Sequence, residues 1–176
     1  QRASIYKFTP ASWKIAASKR LRSGLIFLIF GDEMISKSVA LKAQFYDVDS
    51  MNVVWHGNYV KYFETARCAL LEEIGYDYEA MRADGYAYPI VKIEAKYIKP
   101  VFFGDEIEVE ATLKECECFL KIGYVVKSAK TGETLCTGAT SQAAVDMRAM
   151  QTCFEIPQEL QNAVKRYINE KNSDNF

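Results

Sequence analysis

Histidine occurs once in these 176 residues, proline four times, and Cys-x-x-Cys not at all. One imidazole (His56) and an odd set of five cysteines (Cys68, Cys116, Cys118, Cys136 and Cys153) are poor material for a zinc site. No metal and no cofactor are expected. The same thiols suit the reduced, mostly buried cysteines of a cytoplasmic protein. Neither sign of charge dominates, with 22 Lys and Arg against 23 Asp and Glu. That balance gives no electrostatic footprint for nucleic acid or for an anionic membrane surface. No apolar run is long enough to span a bilayer. There is no repeat, no low-complexity tract and no linker, so one main domain is expected. A hydrophobic content of 49% can supply its core.

Residues 1–33 differ from the rest of the chain. Lys19-Arg20-Leu21-Arg22 precedes the apolar run Gly24–Phe30, as in a signal peptide, but Gly31-Asp32-Glu33 stands where small residues belong. Met34 is a natural start just ahead of the first strand. The expectation is that 1–33 is translated upstream sequence or a remnant of cloning. The alternative is a genuine arm whose apolar run packs on the body or on a partner. The main domain is then 34–158, with a C-terminal helix and tail over 159–176.

The chain is organised around Phe45–Glu64. This stretch opens with alternating apolar residues, turns through Asp49-Ser50-Met51-Asn52, and runs into a helical period. A carboxylate at a strand end thus faces the amide-rich start of an apolar helix. The free N–H groups and positive dipole end of such a start can hold an oxygen that gains negative charge.

Around it the rhythm is consistent. Ser38–Asp47 alternates as a half-buried strand. A helix follows over Tyr59–Ile74, begun by Gly57 or Asn58 and stopped by Gly75. Its apolar residues cover nearly two faces, which marks a helix enclosed by other elements. A short helix is expected near Tyr78–Ala83. Strands are expected at Ala87–Ile98, Glu106–Glu115, Cys118–Ala129 and Thr134–Met147, joined by turns at Phe103-Gly104-Asp105 and Lys130–Glu133. Pro157–Lys171 reads as an amphipathic helix, with the last five residues frayed. The order β-α-β-β-β-β with one very apolar helix predicts an α+β fold, a curved antiparallel sheet wrapped around that helix.

The same residues carry a resemblance. The run Asp49-x-x-x-x-Val54-x-His56-x-x-Tyr59, within Phe45–Arg67, resembles the active-site stretch of hotdog-fold thioesterases of the 4-hydroxybenzoyl-CoA thioesterase type, including the Tol–Pal-associated acyl-CoA thioesterases. The likeness continues through Tyr88–Val91, the Phe103–Glu106 turn and Val145-Asp146. It implies a thioester hydrolase acting on acyl-CoA or an acyl carrier protein, with coenzyme A present only as part of the substrate. It places Asp49 at the catalytic carboxylate and the His56 amide at the oxyanion donor. The His56 side chain matches a histidine common in the acyl-CoA branch. Val54, Trp55, Asn58, Tyr59, Tyr88 and Ile90 fall at substrate-binding positions. Asn52 departs from the family's glycine; asparagine tolerates left-handed angles, so the turn is expected to survive. The resemblance also implies a homodimer, expected as a dimer of dimers (a homotetramer), with the acyl tunnel between subunits.

Blander roles compete for several of these residues. Asp49 is also a natural turn former. Asp47 reads as a solvated edge charge. Glu64 and Arg67, three apart on the helix, read as an intrahelical pair, with Glu64 the reserve catalytic candidate. Lys96, Lys99 and Lys121 read as solvated charges. A hotdog dehydratase is disfavoured, since no second histidine exists to set against an acid from elsewhere. A non-catalytic acyl-binding hotdog protein remains open, as does the choice between nucleophile and general base for Asp49.

Overall fold

The alternation around Glu106–Glu115 becomes a strand, β4 (Glu106–Cys116), that buries Ile107, Val109 and Ala111 and exposes Glu106 and Glu108. Its neighbour β5 (Leu120–Ser128) buries Leu120, Ile122, Tyr124 and Val126. The computed structural model describes residues 34–173. The expectations for residues 1–33 and for the last three residues of the tail lie outside that range. With β1 (Ser36–Lys42), β6 (Thr134–Gln142) and β3 (Ile90–Tyr97), the two strands form one antiparallel sheet of order β1-β4-β5-β6-β3.

Helix α1 (Tyr59–Ile74) has the bounds that the sequence predicts. Gly75 ends it in the left-handed conformation (φ 74°), its N–H meeting the carbonyls of Glu72 and Leu71. Phe63, Ala66, Leu70 and Leu71 are fully enclosed. The Phe63 ring stacks on Tyr124 of β5, with centroids 4.5 Å apart and planes 10° from parallel. It also covers Gly138 of β6, where a Cβ would lie 2.6 Å from that ring and 2.8 Å from the Glu94 carbonyl. Glycine at 138 is therefore what lets α1 settle onto the sheet. An antiparallel sheet packed on one apolar helix is the hotdog arrangement.

Helix α2 (Tyr78–Asp84) is capped by the Asp77 carboxylate, which accepts the N–H groups of Glu79 and Ala80. A small sheet of β2 (Tyr86–Ala87), β7 (Val145–Asp146) and β8 (Gln151–Thr152) stands beside the main one. Helix α3 (Gln158–Ser173) buries Leu160, Ala163 and Val164. It runs through two of the five residues expected to fray.

Four predicted strands are shorter or broken, one of them only trimmed at its ends, from Cys118–Ala129 to Leu120–Ser128. The first stops at Lys42, because Ala43 turns its N–H to Asp105 and its carbonyl to Gly104, both at 2.9 Å. The chain then curls into a 3-10 turn over Phe45–Asp47, leaving Phe45 and Tyr46 78% and 75% exposed. Strand Ala87–Ile98 breaks at Tyr88-Pro89, since proline has no N–H for a ladder. Strand Thr134–Met147 breaks at Ala143-Ala144, where the chain leaves the main sheet for the small one. Among the described residues no helix is long and apolar enough to cross a membrane.

Candidate active site

The turn through Asp49 is a tight hairpin. Val48 bridges Val54, the Asp49 N–H meets the Val53 carbonyl at 2.9 Å, and the Asn52 N–H meets the Asp49 carbonyl at 2.9 Å. Asn52 sits at φ 63°, the left-handed region that asparagine enters more readily than most residues. Oδ1 of Asp49 accepts the Met51 N–H at 2.8 Å. Its other oxygen has no partner among the described residues, and the side chain is half-buried. Asp49 thus serves the turn while keeping one carboxylate oxygen available.

The returning arm leads straight into the helix start. Val54 donates to the Val101 carbonyl at 2.8 Å, which ties it to the segment after β3. A 3-10 turn over His56–Asn58 precedes α1. The N–H groups of Trp55 and Asn58 are taken by the carbonyls of Asp47 (2.9 Å) and Trp55 (2.8 Å). Those of His56 and Gly57 meet no acceptor among the described residues, as the first donors of a helical segment do. The chain therefore carries a partly free carboxylate and two free amides on either side of one short hairpin.

The other predicted residues separate into two groups. Trp55, His56 and Ile90 are exposed, whereas Val54, Asn58, Tyr59 and Tyr88 are buried. The Trp55 indole folds over Gly57, where a Cβ would approach it to 2.1 Å. The imidazole of His56 lies 4.8 Å from that indole, centroid to centroid. Asn58 gives its side-chain N–H to the Asp47 carbonyl at 2.8 Å. Burial pushes the Tyr59 phenol up to about 12. The Tyr88 hydroxyl is buried without a hydrogen-bond partner among the described residues, and burial is the main cause that raises its pKa.

Asp47 is not the solvated charge that alternation suggested. It is 3% exposed, and its Oδ2 accepts both the Gln44 N–H (2.9 Å) and the Tyr62 hydroxyl (3.0 Å). Its carbonyl holds Trp55 and Asn58. Burial, and then this carboxylate, push the Tyr62 pKa upward, so Tyr62 remains a donor at neutral pH. The partnership spans fifteen residues, and no local pattern announces it.

Glu64 is engaged as the spacing suggested. One oxygen pairs with the buried Arg67 guanidinium, and the other accepts the Tyr78 hydroxyl at 3.1 Å. Arg67 Nε donates to that same hydroxyl at 3.0 Å, closing a triangle whose third corner the sequence did not reveal. Lys99 is paired with Glu133 at 2.7 Å.

A family model described as the thioesterase-like superfamily matches residues 43–164. The chain belongs to that family. Among relatives of this thioesterase-like protein, a candidate esterase of Aquifex aeolicus is 36% identical over 86 residues, covering 48% of this chain and 67% of its own. A candidate acyl-CoA thioesterase of Bacillus subtilis is 27% identical over 112 residues, covering 63% and 80%. The DHNA-CoA thioesterase of Staphylococcus aureus has the same fold, with a TM-score of 0.68 at 22% identity, covering 80% of this chain and 96% of that one.

Proposed function

We propose that this thioesterase-like protein hydrolyses the thioester of an acyl-CoA, or of an acyl carrier protein, to the free acid and the thiol. The observation that carries the reading is the hairpin that leaves one Asp49 carboxylate oxygen without a partner and leads into the His56 and Gly57 amides, which meet no acceptor among the described residues. A thioester is already activated, so the reaction needs a nucleophile or base, a donor for the developing oxyanion, and a dry acyl slot.

Asp49 fills the first role in either of two ways. As nucleophile its oxygen attacks the carbonyl carbon, the sulfur leaves as thiolate, and water cleaves the mixed anhydride. As base it takes a proton from a water whose oxygen attacks that carbon. In both routes the His56 and Gly57 amides stabilise the oxyanion, and one well-placed donor contributes on the order of 3 kcal/mol. The acyl group lies along Val54 and Tyr59, with Trp55 at the mouth; Tyr88 and Ile90, at the opposite end of β3 from Tyr97, line it from a second copy. The reaction as written needs neither a metal nor a cofactor.

The slot is completed by a second copy. All eight residues of β3 are exposed, including Ile90, Val91 and Ile93, and only one edge of that strand is paired. An unpaired apolar edge is a template for another chain, which supports a two-fold dimer through β3 and a dimer of dimers beyond it. No disulfide forms among the described residues, which fits a reducing, cytoplasmic setting.

The engagement of Asp49 Oδ1 by Met51 favours a second reading, a non-catalytic acyl binder in which Asp49 only shapes the turn. A panel of acyl-CoA and acyl carrier protein substrates, followed with a thiol-trapping reagent, separates the two. Release of stoichiometric thiol supports hydrolysis. Tight acyl-CoA binding with no thiol released by any substrate favours the binder.

A further inference from the structure

We infer that Tyr97, at the end of edge strand β3, positions one of the two oxyanion donors, the N–H of the His56–Gly57 peptide; this rests on the thioesterase reading. The Tyr97 hydroxyl donates to the His56 carbonyl at 2.9 Å, across 41 residues of chain. The His56 carbonyl and the Gly57 N–H belong to one peptide unit. A trans peptide is planar, and its C=O and N–H point in opposite directions. A hydroxyl that holds the carbonyl therefore fixes the aim of the amide on the far side.

Gly57 makes such a hold necessary. Trp55 lies so close over its Cα that any Cβ would collide with the indole, so this position admits only glycine unless Trp55 moves. Glycine leaves the flanking torsions least restrained. A donor amide attached to it needs a restraint from outside the loop, and Tyr97 supplies one from the sheet.

The Tyr97 ring is held independently of its hydroxyl. It meets Tyr59 edge-on, with centroids 5.1 Å apart, and His56 at 6.4 Å. Tyr97→Phe keeps these contacts and removes the hydrogen bond alone. The bond is also partly exposed on the strand expected to face a second copy. Assembly would withdraw it from water and strengthen it.

The test compares the full-length wild type with Tyr97→Phe by three readouts: the amide resonance of Gly57 in 15N-labelled protein, kcat and KM on the best acyl-CoA substrate, and the melting temperature. The expected result is a displaced Gly57 resonance and a kcat lower by about tenfold, part of the loss that deleting a donor outright produces. KM should stay within about twofold, because ground-state binding is untouched, and the melting temperature should barely move. A kcat within about twofold of wild type, or an unmoved Gly57 resonance, overturns the inference. A fall in kcat that only tracks a fall in melting temperature also overturns it, since a merely structural role predicts that. If the wild type hydrolyses no thioester, the thioesterase reading fails by itself, and the Gly57 resonance alone decides whether Tyr97 aims the peptide.

Discussion

The carboxylate of Asp47 accepts the hydroxyl of Tyr62 at 3.0 Å, joining the loop ahead of the candidate site to the first turn of α1. The same carboxylate holds the Gln44 N–H, and the carbonyl of that residue holds Trp55 and Asn58. Asp47 is thus the peg on which the helix start and the hairpin are both hung.

Asp47→Ala leaves the buried Tyr62 hydroxyl and the part-buried Gln44 N–H without their acceptor and should cost about 2–4 kcal/mol in urea unfolding. Tyr62→Phe should cost about 1 kcal/mol. Because the two residues share a bond, their effects should fall short of additive by about 1 kcal/mol in a double-mutant cycle. Additive losses would mean that the contact is incidental.

The contrast between Asp47 and Asp49 shows what is legible in the sequence. Asp49 stands out because it sits in a local pattern, a turn followed by a helical period. Asp47 is misleading because alternation carries on past the true end of β1, and what buries it is a tyrosine fifteen residues away. Helix α1 is legible to its ends, since its apolar faces and Gly75 are local signals. Tyr97 and Tyr78 escape notice for the same reason as Asp47, because each acts through a partner distant in the chain. The breaks at Tyr88-Pro89 and Ala143-Ala144 follow from a second small sheet, whose two-residue strands are too short to show a period.

Asn52 occupies a left-handed position at φ 63°. Asn52→Gly should be neutral or slightly stabilising, and should leave the turnover number unchanged. Asn52→Val should cost about 1–2 kcal/mol, because a β-branched residue is strained there. Equal stability of the two variants in thermal unfolding would show that the turn is not held in this conformation.

Alkaline pH should unfold the protein early. Burial pushes the thiols of Cys116 and Cys136 up to about 11 from the usual 9.0. It likewise pushes the Tyr59 phenol up to about 12 from 10.0. In the unfolded chain these groups lose protons near their ordinary values, while the folded chain keeps them. The folded state then binds more protons, and stability falls as pH rises. The contribution is whole below about pH 9 and is lost progressively above it. Urea midpoints measured from pH 7 to 11 should be level at first and then decline. A midpoint unchanged up to pH 11 would refute the assignment.

If Asp49 performs the chemistry, the turnover number of Asp49→Asn must reveal it. Asparagine keeps the side-chain oxygen that holds the Met51 N–H, so the hairpin, the melting temperature and the assembly should be preserved. The substitution removes the charge and with it the nucleophile or base. Turnover of the best acyl-CoA substrate should fall by about a hundredfold or more, on the order of 3 kcal/mol in the barrier. Glu64→Gln, measured alongside, should remain within about fivefold of wild type, since Glu64 is occupied by Arg67 and Tyr78. If Asp49→Asn instead stayed within about threefold of wild type while Glu64→Gln lost activity, the working carboxylate would lie on α1 and the assignment to Asp49 would be wrong.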